Sequence, residues 1–372
     1  MSKKIIVFGS FALSLVKFRF QLLKDLTNNG YEVFACAPDA DDQIIDKLIS
    51  INVKYVHIDL CRTGINPFRD VINLLRMKNT FLDIKPDFIL CYTIKPVIYG
   101  SIAAKLAGIK NIYSIVTGLG YSFVAKGIKA NIVNFIVSSL LKISLKYNRT
   151  IFFQNPDDID LFQEKKLLKN SEQSFLINGS GVDLEHYQKA SLPIECSFLL
   201  IARLIKDKGV VEYAKAAKLV KKSHPNTKFY LAGWIDTNPS SITQSELDEW
   251  ISSGTIDFLG ELDDVREAFT MSSVYVLPSY REGTPRTVLE AMAMGRAIIT
   301  TDAPGCRETV IDGENGYLVP IKNSVILADK MEYLINTPKV VQKMADSSYK
   351  IVNDKYDVHK VNDIILQEME LI

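Results

Sequence analysis

The chain has 372 residues, of which 47% are apolar, and this composition is sufficient for two hydrophobic cores. Its formal net charge of +1 argues against a nucleic-acid binder, so no nucleic-acid partner is expected. The cysteines form no C-x-x-C or Cys/His cluster, so we expect neither a disulfide framework nor a zinc site, and a reducing cytosol fits (Cys36, Cys61, Cys91, Cys196 and Cys306).

The charge is distributed unevenly along the chain. Residues 1–192 carry a net charge of +7, whereas residues 193–372 carry −6. No acidic residue occurs between Asp87 and Asp157, a stretch that contains eight basic residues. This asymmetry indicates an anionic partner or membrane surface for the first half only. No apolar run reaches the length of a membrane span.

Short apolar runs alternate with helical stretches along the first half. This alternation predicts a parallel, doubly wound α/β sheet. The predicted strands cover residues 5–8, 32–37, 54–58, 88–92, 112–116 and 151–153. The first strand ends at Gly9 without a G-x-G-x-x-G motif, so dinucleotide binding is not expected there. Asp39-Ala-Asp41 has the D-x-D form of some metal sites, but its polar loop favours a turn and a helix start.

A glycine loop, Thr117-Gly118-Leu119-Gly120, follows the predicted strand at 112–116. Open α/β sheets bind ligands at the carboxyl ends of their strands, so this loop is a candidate binding segment.

Residues 126–149 predict an amphipathic helix. Its apolar stripe is bordered by basic residues at both ends (stripe: Ile128, Ile132, Phe135, Ile136, Ser139, Leu140 and Ile143; basic: Lys126, Lys129, Lys142, Lys146 and Arg149). Such a helix either packs on the sheet or lies in a membrane interface. The absence of nearby acidic residues favours an anionic surface, to which each basic residue contributes about 1 kcal/mol.

A polar stretch at residues 178–193 predicts the linker to a second sheet, with strands near 197–202, 228–232, 257–259, 274–277, 297–301 and 317–319. Arg203 and Lys208 flank the turn after the first of these strands. Two cations there could neutralise a diphosphate, although such a pair is also common at a solvated helix start.

The segment from residue 274 to 316 contains the main candidate site. A buried strand leads into a loop with Glu282, and a helix follows with Thr284 as its N-cap and Pro285 as its first residue. A strand, a glycine loop and a helix N-terminus together form an anion site. Glu290 lies on the helix, which rises about 7–8 Å from Pro285 to that residue. Gly295 is the expected left-handed helix end.

These residues carry a family resemblance. Glu282-Gly-Thr-Pro and the following Leu289-Glu-Ala-Met resemble the E-x7-E signature of family-4-type retaining glycosyltransferases. Similarity to that family continues through residues 202–209, 231–233, 258–260 and 313–319. The resemblance implies the GT-B fold, in which two Rossmann-like domains face each other across a cleft. We therefore expect domains at 1–190 and 191–354, with a tail at 355–372 that returns to the first domain.

The resemblance also implies roles for individual residues. Glu282, Arg203 and Lys208 would be catalytic, with Glu282 orienting the donor sugar and Glu290 binding the ribose. The other donor contacts would be Gly9, Phe258, Leu259, Gly260, Gly283, Thr284, Pro285, Val288 and Leu289. Acceptor contacts would come from Arg19, Thr117, Gly118, Leu119 and Gly120, although Arg19 could equally be a solvated helix cation. The family often has a donor-binding histidine near position 117, and this chain has none there.

The chain is most similar to the subset that transfers N-acetylgalactosamine, in α1,3 linkage, to undecaprenyl-diphosphate-linked sugars. The matching stretches are Phe18-Arg19, the loop 118–120 and residues 126–134 and 280–285. This resemblance implies a UDP-N-acetylhexosamine or UDP-hexose donor, no metal cofactor, and a peripheral location on the cytoplasmic face of the inner membrane. Alternatives are hexose transfer to lipopolysaccharide core or O-antigen, a UDP-sugar epimerase of the same shape, and a sugar-nucleotide-binding protein without turnover.

Overall fold

The computed structural model describes residues 2–60, 67–118 and 128–372. The chain divides into two compact units. Residues 1–180 and 361–372 form the first unit, and residues 181–360 form the second. The second unit thus begins ten residues before the boundary expected from the sequence, because the polar stretch around 181–190 packs with it.

The first unit contains a seven-stranded parallel sheet with the order β3-β2-β1-β4-β5-β6-β7. Its strands are β1 Lys4–Phe8, β2 Glu32–Ala37, β3 Lys54–His57, β4 Phe88–Tyr92, β5 Asn111–Val116, β6 Thr150–Phe153 and β7 Ser174–Leu176. Its helices are α1 Leu13–Phe18, α2 Phe20–Asn28, α3 Asp42–Ile49, α4 Pro67–Ile84, α5 Ser101–Leu106, α6 Ile128–Leu145 and α7 Pro156–Glu164. A π-helical turn, Pro96–Gly100, leads directly into α5.

The second unit contains a six-stranded parallel sheet with the order β10-β9-β8-β11-β12-β13. Its strands are β8 Phe198–Ile201, β9 Phe229–Ala232, β10 Asp257–Gly260, β11 Val274–Leu277, β12 Ala297–Thr301 and β13 Gly316–Val319. Its helices are α8 Val210–Val220, α9 Gln244–Ser252, α10 Arg266–Thr270, α11 Arg286–Ala293, α12 Ser324–Asn336 and α13 Pro338–Lys355.

The inner strands of both sheets are buried and apolar, because helices cover the two faces of each sheet. For this reason these strands were recognisable as apolar runs in the sequence. β7 was not predicted, since it has only three residues and is partly exposed. The predicted turn at Asp39-Ala-Asp41 is confirmed, because Asp41 caps α3 by accepting a hydrogen bond from the Ile44 N–H at 2.8 Å.

The C-terminal segment belongs to both units. The last helix, α14 Val358–Glu368, begins in the second unit and continues into the first. Val361, Ile365 and Leu366 join a core cluster of the first unit, and Asn362 donates a 2.6 Å hydrogen bond to Asp25.

Each sheet contains one point where the strand order reverses. In the first sheet this point lies between β1 and β4, and in the second it lies between β8 and β11. In open α/β sheets, ligands bind beyond the carboxyl ends of the strands at such points. The loops that follow these four strands are therefore where each unit is expected to hold a ligand.

Candidate active site

Lys208 and Glu282 meet at the strand reversal of the second unit. Lys208 follows β8, Glu282 follows β11, and the two strands are paired neighbours. The Lys208 Nζ lies 2.5 Å from Glu282 Oε1. The side chain of Lys208 is 23% exposed and that of Glu282 is 12% exposed, so solvent screens the two charges only weakly. An ammonium has three N–H donors, so Lys208 can contact Glu282 and still donate to an anionic ligand.

Backbone contacts hold the two loops together. The Tyr280 N–H donates to the Asp207 carbonyl at 2.9 Å, and the Glu282 N–H donates to the Pro304 carbonyl at 2.9 Å. Gly209 has a positive φ of 71°, and a Cβ there would lie 2.1 Å from the Pro278 carbonyl oxygen. Only glycine permits this close approach of the β8 and β11 loops.

The Glu282 carboxylate has a second fixed contact. Ser279 Oγ donates to the same Oε1 atom at 2.7 Å. The negative charge of Glu282 also contributes, after burial, to raising the pKa of the neighbouring Cys306 thiol to about 12. Glu282 is therefore an oriented carboxylate in a restricted environment.

Arg203 has a partner that the sequence did not indicate. Its Nη1 atom donates to Asp236 Oδ2 at 2.7 Å, and this hydrogen bond lowers the pKa of Asp236. Asp236 lies beyond β9, in a loop that the family resemblance did not single out. A guanidinium has five N–H donors in a planar fork, so the pairing leaves Arg203 able to contact an anion as well.

The helix that follows Glu282 begins one residue later than expected. Helix α11 starts at Arg286, and Pro285 is its N-cap with an extended ψ of 108°. The prediction that Thr284 caps the helix and Pro285 is its first residue was wrong. The Pro285 carbonyl instead accepts from the Val288 N–H at 3.0 Å, and the side chain of this N-cap residue makes no capping hydrogen bond. Gly295, with φ at 73°, ends the helix as predicted.

Glu290 is buried, and its carboxylate is held by a cation on the same helix. Arg286 Nε, one turn earlier on α11, donates to Glu290 Oε1 at 2.9 Å. Tyr187 lies near this carboxylate, and burial together with the charge of Glu290 raises the pKa of Tyr187. Sequence reasoning missed both residues. The i,i+4 spacing of Arg286 and Glu290 could have revealed the first, but Tyr187 is too distant in sequence.

The remaining predicted donor contacts differ in accessibility. Phe258, Leu259 and Gly260 form part of β10, an edge strand, and are partly exposed. The Gly260 carbonyl already accepts from the Gly233 N–H at 2.8 Å. The side chains of Val288 and Leu289 lie wholly inside the core. Only their backbone atoms could therefore touch a donor.

The strand reversal of the first unit holds Gly9 and Arg19. Gly9 follows β1, and a Cβ at this position would lie 2.2 Å from the Tyr92 hydroxyl oxygen. Arg19 is 3% exposed, and its guanidinium lies 5.2 Å from the centre of the Tyr92 ring. The alternative that Arg19 is a solvated helix cation was wrong. Burial raises the pKa of Tyr92 to about 12, and its hydroxyl lies 2.7 Å from Ser14 Oγ.

The glycine loop of the first unit is described only in part. Thr117 and Gly118 follow β5 and are partly exposed, and Gly118 has a φ of 119°. Leu119, Gly120 and Lys126, and the side chain of Lys129, lie outside the described residues.

Helix α6 has one face in the core and another in solvent. Leu141 and Leu145 are buried against the sheet, and Leu140 packs beside them, so Leu140 does not belong to the exposed stripe. The side chain of Ile128 lies outside the described residues, and the other large apolar residues of the predicted stripe are exposed (Ile132, Phe135, Ile136 and Ile143). Lys142 and Lys146 are exposed as well. Among the described residues, no helix is both long and apolar enough to cross a bilayer.

Sequence comparison decides the family. The family model described as Glycosyl transferases group 1 matches residues 165–351, slightly more than half of the chain. The chain belongs to the group 1 glycosyl transferases. A second model, Glycosyl transferase 4-like, matches residues 5–155. The region matched by the group 1 model includes the four charged residues of the candidate site (Arg203, Lys208, Glu282 and Glu290).

Two named relatives of this glycosyltransferase act on lipid-linked sugars. It is 29% identical over 349 residues to the N,N'-diacetylbacillosaminyl-diphospho-undecaprenol alpha-1,3-N-acetylgalactosaminyltransferase of Campylobacter jejuni, with 90% of each chain covered. It is 24% identical to the UDP-Gal:alpha-D-GlcNAc-diphosphoundecaprenol alpha-1,3-galactosyltransferase of Escherichia coli, with 82% of this chain and 80% of the relative covered. The resemblance to undecaprenyl-diphosphate-sugar transferases is thereby confirmed.

Solved structures confirm the predicted fold. The glycosyltransferase from Rickettsia africae has a TM-score of 0.80 at 17% identity, with 100% of this chain and 98% of that chain covered. Anabaena HepE in complex with UDP and glucose has a TM-score of 0.79 at 16% identity, with both chains covered completely. The glycosyltransferase therefore has the two-domain GT-B fold expected from its sequence motifs.

Proposed function

We propose that the enzyme transfers N-acetylgalactosamine from UDP-N-acetylgalactosamine to a sugar on a polyprenyl diphosphate, with retention of the α configuration. The observation that carries this proposal is the 29% identity, across 90% of both chains, to a relative named as an alpha-1,3-N-acetylgalactosaminyltransferase for an undecaprenol-diphosphate-linked sugar. The paired Lys208 and Glu282 at the strand reversal supply the chemistry that the reaction needs.

In the proposed reaction the bond between the anomeric carbon and the UDP oxygen lengthens as the acceptor approaches. Negative charge develops on the leaving diphosphate during this step. Lys208 and Arg203 lie in the loop after β8, and both can donate to phosphate oxygens while they keep their carboxylate partners. The start of α11 adds the positive end of a helix dipole. Such preorganised charge stabilisation is commonly the largest contribution to catalysis.

The acceptor hydroxyl would attack the same face of the anomeric carbon that UDP leaves. The new glycosidic bond forms as the bond to the UDP oxygen breaks, and a phosphate oxygen of UDP takes the acceptor proton. Glu282 is proposed to orient the donor sugar, because Lys208 and Ser279 fix its carboxylate. No metal ion takes part in this scheme, so transfer is expected to continue in the presence of EDTA.

Tyr187→Phe is expected to raise the KM for the donor about tenfold, because a polar hydroxyl near the charged, buried Glu290 is lost. We propose that Glu290 accepts hydrogen bonds from the donor ribose. The increase should therefore disappear when a donor lacking the ribose hydroxyls is used. Tyr213→Phe is a matched control, since that buried tyrosine donates to the Tyr230 carbonyl instead. An equal KM in wild type and Tyr187→Phe would contradict the assignment.

The acceptor is proposed to reach the enzyme at the cytoplasmic face of the inner membrane. The exposed apolar residues of α6 and the cations Lys142 and Lys146 support peripheral attachment to an anionic bilayer. Changing Lys126, Lys129, Lys142 and Lys146 to glutamate should weaken binding to anionic liposomes more than tenfold, because each basic residue contributes about 1 kcal/mol. In the control variant, Lys24 and Lys47 are changed to glutamate; both are exposed, on α2 and α3 respectively. Equal sedimentation of both variants with liposomes would refute membrane attachment through α6.

A screen of radiolabelled UDP-sugars against short-chain polyprenyl-diphosphate sugars tests the reaction itself. The proposal predicts product with UDP-N-acetylgalactosamine, an α linkage and no requirement for added metal. The similarity to the Escherichia coli galactosyltransferase favours UDP-galactose as a second candidate donor. Release of UDP without an acceptor, together with a changed sugar, would instead support the epimerase alternative. Binding of UDP-sugar without any product would support a non-catalytic binding protein.

A further inference from the structure

One helical layer of the first unit carries most of that unit's exposed large apolar side chains. Helices α4 and α6 both pack against the intervening segment formed by the π-helical turn and α5. All three helices contribute to the same core cluster on one face of the sheet. Nine of the fifteen exposed large apolar residues described in this unit lie on this layer. They are Val71, Ile72, Leu75, Leu82, Leu106, Ile132, Phe135, Ile136 and Ile143.

Helix α4 is apolar on two opposite sides. Met77 and Phe81 face the core, whereas Val71, Leu75 and Leu82 are 55%, 51% and 43% exposed. At 100° per residue, these three exposed side chains fall within about 40° of one another around the helix axis. A surface helix normally presents charged or polar residues on its outer side. The outer stripe of α4 is therefore an exposed apolar surface, which the sequence pattern did not reveal.

The positive charge of this layer indicates which kind of partner surface it fits. Lys105, Lys142 and Lys146 are exposed, and Lys78 lies on the stripe of α4. No acidic residue occurs between Asp87 and Asp157, and on α4 Asp70 is buried. The exposed Asp83 of α4 lies about 100° around the helix axis from the centre of the stripe. A second copy of the chain would place this basic surface against itself in a two-fold dimer, which is electrostatically unfavourable. An anionic lipid surface offers both the opposite charge and an apolar interior.

We infer that the outer stripe of α4 is a second membrane contact beside α6, and that it inserts into the interface of an anionic bilayer. This inference rests on the proposed function only in placing the acceptor in a membrane. A single amphipathic helix leaves the protein free to rotate about that helix. Two contact lines on one layer restrict this rotation, so they set the orientation in which the first unit meets a lipid-linked sugar.

The test compares three variants for sedimentation with phosphatidylcholine vesicles, with and without phosphatidylglycerol. The α4 variant carries Val71→Ser, Ile72→Ser and Leu75→Ser, and the α6 variant carries Ile132→Ser, Phe135→Ser and Ile136→Ser. The control carries Ile49→Ser and Leu176→Ser, exposed residues outside the layer. We expect partitioning onto the anionic vesicles to fall about tenfold in the α4 variant, as in the α6 variant, and to remain unchanged in the control.

Equal partitioning of wild type and the α4 variant would overturn the inference. So would a concentration-dependent wild-type dimer in sedimentation velocity that the α4 variant abolishes. Circular dichroism and thermal unfolding check that each variant is folded. Transfer to a short-chain, water-soluble acceptor should be unchanged in the α4 variant. If the wild type transfers no sugar at all, the proposed function fails, while the vesicle comparison still decides the role of α4.

Discussion

Replacing Lys208 by alanine is expected to lower kcat for sugar transfer by roughly 10²–10³-fold. The ammonium lies 2.5 Å from Glu282 in a loop shielded from water, so its removal has two consequences. The leaving diphosphate loses a charged donor at the point where its negative charge develops. Glu282 also loses the contact that fixes its carboxylate. Steady-state kinetics with a labelled donor and a short-chain acceptor measure the effect.

Glu282→Ala is expected to cause a loss of similar size, because both side chains act as one unit. The double variant should therefore be little worse than either single variant, whereas independent residues would give multiplied losses. Lys206→Ala is the matched control, since Lys206 is an exposed cation in the same 3-10 turn, Lys206–Lys208. Full activity of a folded Lys208→Ala or Glu282→Ala enzyme would remove these residues from the mechanism.

Arg296→Met is expected to reduce the free energy of unfolding of the second unit by about 2–4 kcal/mol. Arg296 is wholly buried, and its guanidinium donates to four carbonyl oxygens. The acceptors belong to Ala190, Ser191, Ser272 and Met294, at 2.6, 3.1, 2.7 and 3.1 Å. Methionine retains much of the apolar stem but leaves these carbonyls without their donor.

Urea unfolding followed by circular dichroism measures this loss. Burial lowers the pKa of Arg296 to about 10, so the guanidinium remains charged at neutral pH and its hydrogen bonds are charge-assisted. Arg266→Met is the control, because the ion pair between Arg266 and Asp264 is exposed and is expected to contribute less than about 1 kcal/mol. Equal unfolding curves for the Arg296→Met and Arg266→Met variants would show that Arg296 does not hold the segment at residues 190–191.

Much of the fold could be predicted from the sequence because the strands of a buried parallel sheet are continuous apolar runs. β4 and β11, for example, are buried at every position and end at recognisable turns. The short edge strand β7 has no such signal, since three partly exposed residues cannot form a pattern. The outer stripe of α4 was missed for a different reason. When a helix has apolar residues on both sides, their spacing alone does not show which side faces the core.

The candidate site was predictable where its residues lie in local motifs. Lys208 and Glu282 each follow a strand, and Glu290 lies on a helix. Each of these elements is recognisable from a short stretch of sequence. Their partners were less accessible to sequence reasoning. The Arg203–Asp236 contact joins two separate loops, and Tyr187 reaches Glu290 from a distant segment. Contacts of this kind depend on which strands become neighbours, and local propensity does not contain that information.

The offset at the start of α11 shows how a correct motif can still be assigned one residue early. Proline is favoured at the first helical position, so placing it there was reasonable. Pro285 instead has an extended ψ and accepts the first helical hydrogen bonds through its carbonyl. The loop before it is fixed by the Glu282–Pro304 hydrogen bond. This tertiary contact overrides the local preference.

A crystal structure of the enzyme with UDP tests most directly where the diphosphate binds. We predict that the phosphate oxygens lie within hydrogen-bond distance of Lys208 Nζ and of the backbone at the start of α11, with the ribose hydroxyls on Glu290. A nucleotide bound elsewhere in the protein, with Lys208 and Glu282 still paired and untouched, would contradict the account.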